Sequence, residues 1–220
     1  NVTYKAYDNE KVIITGEKKL DNSCYYPVTD ENILSRILDS NAKAALYEID
    51  MKAMRIELSK ELMIGENRIS CYDYGKRNPI ITIDDTMGQV AKWPDVGYAP
   101  IGSFFKNGTV GKTADDCTPA MLTLDNARAR LWKNADGAYI YSQWYTGWQD
   151  QSTMITEIAK DNTITVDMPI KSGSISSDAV VSVYNLLEEI SQSGEYYSDV
   201  TQDKMYFMSD STENIGFFFF

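Results

Sequence analysis

Asn185-Leu186-Leu187-Glu188-Glu189-Ile190 runs through a polar turn at Ser193-Gly194 into Glu195-Tyr196-Tyr197, then Asp199, then Lys204-Met205-Tyr206-Phe207. An apolar strand, Ala179-Val180-Val181-Ser182-Val183-Tyr184, leads into this stretch. Gly194 punctuates it as a turn, and Ser198 to Met208 has the form of a hairpin. Glu188 and Glu189 are adjacent carboxylates, and adjacent side chains diverge in a strand or a helix. Glycosidic hydrolysis needs two carboxylates facing one sugar bond, roughly 5–10 Å apart. The pair is therefore read as structural. Glu195, just past a glycine, is expected to make a hydrogen bond at a junction.

Working outward, the reading is mostly β. Residues 1–16 hold two short β-rich runs around Asp8-Asn9-Glu10, the second being Val12-Ile13-Ile14-Thr15-Gly16. Thr29 or Asp30 is a candidate N-cap for a short helix whose apolar residues Ile33, Leu34 and Ile37 fall at helical spacing. Ala45 to Asp50 alternates like a strand, and Met51 to Met63 is ambiguous between loop and helical turn. Further strands are expected at Ile80–Ile83, Val90–Trp93, Ala138–Tyr141, Met154–Ile158 and Thr163–Val166. Asp84-Asp85, Asn107-Gly108, Asn134 to Gly137 and Lys160 to Asn162 separate them as turns. Short strands at this spacing predict a sandwich or barrel. Arg128, Arg130 and Lys133 around Trp132 read as an exposed strand face, and Trp93-Pro94 as a packed corner.

At this point the segments, taken in order, resemble secreted right-handed parallel β-helix proteins, which include some glycoside hydrolases. The recurring segment there reads roughly Asn-x-Leu-Glu-Glu-(Leu/Ile)-Asp-x-Pro-Gly-Glu-Trp-Tyr-x-Asp, followed by a Leu-Tyr strand. It is similar to Asn185 through Phe207, with Ser191, Ser193 and Tyr196 standing where the family has Asp, Pro and Trp. Tyr4 to Gly16 looks like an early coil, Val28 to Asp50 like the helix and strand that follow, and Ala91-Lys92-Trp93-Pro94-Asp95 with Gly97-Tyr98 like an Ala-Arg-Trp-Pro-Asn segment. The resemblance implies a β-sandwich inserted into the first coils of a right-handed parallel β-helix, with one or two short helices. Residues 1–24 would be the initial coil strands, 25–184 the insert with its short helix, and 185–220 the return to the helix. It also implies a secreted or cell-surface location and a downstream β-helix domain of the same protein as partner. Catalytic carboxylates lie on later coils in such glycosidases, so no catalytic residue carries over. Asn1-Val2-Thr3-Tyr4 reads as the start of a strand, and the chain is expected to be part of a longer one.

Composition narrows the chemistry. The chain of 220 residues is 43% hydrophobic, enough for one large β domain or two small modules. Its net charge of −11 argues against nucleic acid, which needs concentrated Lys and Arg, and against anionic membrane surfaces. No apolar run reaches the ~20 residues of a membrane helix. The absence of histidine removes Ser-His-Asp and Cys-His catalysis and His-ligated zinc from this chain. Cys24, Cys71 and Cys117 form no CxxC pair; three small buried residues are the preferred reading, with one disulfide plus a free thiol left open. Asp84-Asp85 and Asp115-Asp116 are read as solvated turns, since calcium needs six to eight converging oxygens. No P-loop, dinucleotide or nucleophile-elbow motif occurs. No metal and no cofactor are expected.

The aromatic stretch from Tyr139 to Trp148 is the best binding candidate. Sugar C–H faces stack on aromatic rings while polar neighbours fix the hydroxyls. Trp144, Tyr145 and Trp148 would form the platform, with Gln143 and Asp150, and also Gln149 and Gln151, as polar contacts. The competing reading makes Tyr139 and Tyr141 one core face and packs Trp144 and Trp148 between layers, and it is the preferred one. Four functions follow. The first is a non-catalytic accessory or structural region of an extracellular carbohydrate-active protein, helping to hold a polysaccharide or oligosaccharide. The others are an independent carbohydrate-binding module, a self-contained enzyme using two acids, and an adhesin segment without activity. Exposed, coplanar rings favour the module; buried rings count against it.

Overall fold

A computed structural model of the chain describes residues 2–3, 5–8, 10–12, 15–58, 79–106, 108, 118–135, 137–145, 149–167, 179–211 and 214–218. In chain order the strands are β1 (Lys18–Lys19), β2 (Tyr25–Pro27), β3 (Leu46–Asp50), β4 (Ile80–Ile83), β5 (Thr86–Met87), β6 (Gln89–Val90), β7 (Lys92–Trp93) and β8 (Ala99–Lys106). They continue as β9 (Met121–Leu124), β10 (Tyr139–Tyr145), β11 (Gln149–Ile158), β12 (Thr163–Val166), β13 (Val180–Tyr184), β14 (Glu195–Asp199), β15 (Lys204–Met208) and β16 (Ile215–Phe218). Two short helices, α1 (Glu31–Leu34) and α2 (Ser40–Ala44), lie between β2 and β3. Asp30 caps α1 by accepting from the Asn32 N–H, and Asp39 caps α2 by accepting from those of Asn41 and Ala42. No helix among the described residues is long and apolar enough to cross a membrane.

The chain is mostly β, but it is not a parallel β-helix. Strands β8, β9, β12, β11, β10 and β13 pair in that cyclic order, and the β10–β13 and β13–β8 pairings close them into an antiparallel barrel. The expected sandwich insert is thus a barrel, and β7 adds to it outside the ring along β13. The remaining strands form two separate sheets, in the orders β2-β3-β15-β14-β6 and β1-β16-β4-β5. Among the described strands only β14 and β6 pair in parallel, through Glu195↔Gln89 and Tyr196↔Val90. A β-helix would instead stack parallel strands coil on coil. Further corrections are local. No described residue before Lys18 is in a strand, and Arg128–Leu131 is a 3-10 turn rather than a strand face.

Alternation along the strands places the cores. Ile140, Trp144, Leu122, Ile155, Ile164, Val181 and Val183 belong to one packed barrel cluster, while Ser182, Tyr184, Tyr139 and Tyr141 take the opposite parity and lie on the outer wall. The sheet containing β14 and β15 is buried on both faces. Ile49, Met205, Phe207 and Tyr196 pack with Ile81, Ile83, Ile215 and Phe217 of the neighbouring sheet. Tyr197, Tyr206 and Met208 pack on the other side with Ile33, Ile37 and Ala42 of the helical segment and with Leu187 and Ile190.

The stretch that follows β13 ties the barrel to this sheet. Asn185 is fully buried at φ 60°. Its Nδ2 donates to the carbonyls of Gly137 and Ser198, its Oδ1 accepts from the Ser198 N–H, and its own N–H donates to the Ala91 carbonyl. Gly137, itself at φ 75°, lets the chain pass; a Cβ there would lie 3.0 Å from Val200. Glu188 and Glu189 then diverge, as expected of neighbours. Arg36 donates to both Glu188 oxygens, at 2.9 and 3.2 Å, and the Lys133 N–H donates to one of them. Arg128 donates to both oxygens of Glu189, which also accepts from Trp132 Nε1. The Arg36 guanidinium loses stability by burial, but its bonds to Glu188 outweigh that and raise its pKa.

Asn185 combines buried polar partners with a left-handed backbone, so two substitutions separate the two effects. Asn185→Ala strands the Gly137 and Ser198 groups and keeps a Cβ at positive φ; it is expected to cost about 3 kcal/mol or more. Asn185→Gly strands the same groups without the backbone penalty and should be about 1 kcal/mol less damaging. Urea denaturation of both variants checks the order, and an alanine variant as stable as the glycine variant would contradict it.

Candidate functional site

The segment from Gln89 to Tyr98 crosses from one sheet to the barrel and leaves a cleft on the way. Gln89 and Val90 extend the sheet of β14, while Lys92 and Trp93 join β13 of the barrel. Ala91 is the pivot between them, donating to the Tyr196 carbonyl and accepting from the Asn185 N–H, both at 2.8 Å. After the cis Trp93–Pro94 bond the chain turns at Gly97, φ 73°, and presents Tyr98. Trp93 points the other way, packing edge-to-face on Trp132 with ring centroids 5.9 Å apart.

An open cleft of about 520 Å³ results, lined by Gln89, Val90, Lys92, Gly97, Tyr98, Tyr141, Ser182 and Tyr184. Register explains the lining. Directly opposed residues of antiparallel strands share a face, and Tyr184 stands opposite both Lys92 and Tyr139, while Tyr141 stands opposite Ser182 and Ser152. The barrel's outer wall is therefore a patch of tyrosines and small hydroxyls edged by a lysine. Tyr139 stacks on Tyr184 at 5.7 Å with the planes 7° apart, and Tyr98 stacks on Tyr141 at 6.0 Å with the planes 30° apart. Tyr184 is 5% exposed and Tyr98 is 55% exposed, so the first pair is mostly wall and Tyr98 is the ring held out to solvent. Burial pushes the Tyr184 phenol well above its ordinary value, against a hydrogen bond shared with Ser152.

The residues singled out from sequence fall elsewhere. Trp144 is 0% exposed inside the barrel cluster, so it offers no face to a sugar. Gln143, on the same strand, is exposed. Tyr145 and Asp150 sit at the ends of β10 and β11, and Trp148 lies outside the described residues. Asp115, Asp116, Cys71 and Cys117 also lie outside them, and Cys24 is a free thiol. Asp84 and Asp85 form the two-residue hairpin loop between β4 and β5, both at positive φ, and Lys19 pairs with Asp85 at the surface. Among the described residues no cluster of acids and thiols could hold a metal. The cleft tyrosines were missed as a set because a strand's alternation does not reveal which strand lies beside it.

A second hollow, of about 320 Å³, is lined by polar groups including Ser103, Thr123, Asp125, Arg130 and Asn162. No aromatic ring is among its described lining residues, so it offers no stacking surface.

No family model matches this chain, and no curated protein matches it. Among solved structures, a chain titled "Glycoside hydrolase" aligns over 95% of this chain at a TM-score of 0.49 and 12% identity. The aligned part is 32% of that chain, so this chain spans about a third of its length.

One carboxyl sits behind the cleft. Glu195, opposite Gln89 in the register, is 7% exposed and accepts from the N–H groups of Ser191 and Gln192 at 2.8 and 3.0 Å. Burial pushes it above its ordinary value of 4.5, the two N–H groups pull it down, and the charge of Asp95 adds to the rise. A raised carboxyl pKa means the native state holds the proton more tightly than the unfolded chain does. The stability this gives is full below about 4.5 and is lost as pH rises through the folded value. Glu195→Gln keeps an acceptor and removes the titration. Urea denaturation is expected to show the parent gaining stability relative to this variant as pH falls from neutrality toward 4.5; a parent that loses ground instead would refute the assignment.

Proposed function

We propose that this chain is a non-catalytic accessory region of an extracellular carbohydrate-active protein, and that its tyrosine cleft holds one saccharide unit of a polysaccharide or oligosaccharide. The observation that carries the reading is Tyr98, an exposed ring braced on Tyr141 at the mouth of an open cleft lined by Gln89, Lys92 and Ser182. A sugar ring binds by laying its C–H face on an aromatic ring while hydroxyls and amides bond its edge. The bracing matters because a preorganised ring loses little freedom on binding.

The lining supports the non-catalytic reading. Paired-acid hydrolysis needs two carboxylates across one bond, and none is among the cleft's described lining residues. Glu188 and Glu189 are committed to Arg36 and Arg128. The secreted or cell-surface setting rests on the sequence resemblance alone.

Glycan-array and calorimetric titration of the chain tests this, with two aromatic variants. Tyr98→Ala is expected to lower affinity at least about tenfold, one aromatic stacking contact being worth ~0.5–1.5 kcal/mol beyond its area, with stability changed by no more than about 0.5 kcal/mol. Trp144→Ala is expected to cost about 3–5 kcal/mol of stability, as a fully buried Trp should. Binding that survives Tyr98→Ala, or no binding to any glycan, would refute the cleft.

A further inference from the structure

The charge of the cleft runs against the charge of the chain. The protein carries −11 overall, yet Lys92 is the one charged side chain among the cleft's described lining residues. Cross-strand register sets Lys92 directly opposite Tyr184, so its side chain leaves the sheet on the face that carries the tyrosines. It has no ion-pair partner among the described residues, unlike Lys19, Arg36, Arg128 and Lys204, each of which is paired with a carboxylate. The stem of a lysine can pack along an aromatic wall while its ammonium reaches a polar ligand. Lys92 is half-buried as a residue, and a charge partly shielded from water interacts more strongly with an anion than one in open water.

Resting on the saccharide reading above, we propose that the cleft selects a sugar bearing an anionic substituent, a uronate carboxylate or a sulfate ester, with Lys92 as the specificity residue. Tyr98 and Tyr141 take the ring and Lys92 takes the charge. A neutral sugar of the same shape leaves the ammonium with water alone. The acidic chain repels anions, with Asp95 on the same segment and Glu195 behind the cleft, so recognition depends on this local cation at short range. Lysine offers a point charge with rotatable donors rather than a planar fork, which suits either carboxylate or sulfate.

A matched ligand set on the intact chain tests this. Calorimetry would compare a β-1,4-linked triglucuronate, its neutral methyl ester and a sulfated galactose trisaccharide against the parent chain, Lys92→Met, Lys92→Arg and Tyr98→Ala. The parent is expected to prefer an anionic sugar over the methyl ester by about tenfold, the worth of one charge-assisted hydrogen bond. Lys92→Met should erase that preference, bringing acid and ester to equal affinity, while Lys92→Arg retains it. The preference should also shrink as salt is raised. Which anionic trimer gains identifies the substituent. Equal affinity for acid and ester, with both lost in Tyr98→Ala, would overturn the anionic specificity and leave the saccharide cleft standing. No binding by these trimers or by any glycan would overturn both.

Discussion

Asn185 is the constraint on which the arrangement rests. It ends β13, the strand that closes the barrel, and bonds at once to the Gly137 turn of the barrel, to β14 of the adjoining sheet and to Ala91. Each partner is a backbone group, and Asn185 is fully buried, so the loss of its amide leaves several buried polar groups unpaired at a cost of about 1–3 kcal/mol each. Only a short polar side chain tolerant of positive φ can hold this position. Barrel and sheet meet at a polar joint. The two carboxylates that follow extend it, Glu188 to Arg36 on the helical side and Glu189 to Arg128 and Trp132 on the barrel side.

That joint produces the cleft. Ala91 is held between Tyr196 and Asn185, so the chain bends there between β6 and β7, from the sheet onto the barrel. The bend carries Lys92 to the outer wall beside Tyr184 and lets the following turn bring Tyr98 over Tyr141. Apolar residues of the opposite parity, Val181, Val183 and Ile140, hold the wall from inside. The wall is rigid because its other face is the barrel core, and Tyr98 is exposed because it rides on the turn at Gly97 rather than on a barrel strand.

Much of the element content was legible and the architecture was not. Alternation marked Ala45–Asp50, turn signals bounded Ile80–Ile83 and Thr163–Val166, and an apolar run marked Ala179–Tyr184, and each contains a strand. Asp30 was legible as a cap because capping is a local interaction. Barrel closure was not, since it depends on pairings such as Tyr139 with Tyr184 and Val181 with Ala99, which join residues far apart in sequence. The parallel β-helix came from the resemblance of short segments, which does not reveal which strands pair or in which direction, and here nearly all described pairs are antiparallel. Trp144 showed why aromatic density is a weak signal. Its strand carries Tyr139 and Tyr141 outward and Ile140 inward, and the same alternation puts Trp144 in the core. The binding candidates were sought along one strand, whereas the cleft draws on three segments.

Residue-resolved NMR during a saccharide titration tests the central claim most directly, because it locates the ligand without altering the chain. Shift changes are expected to concentrate at Gln89, Lys92, Tyr98, Tyr141 and Ser182, on the wall that Asn185 holds in place. Changes centred instead on Tyr145, Trp148 and Asp150, with the cleft silent, would contradict it.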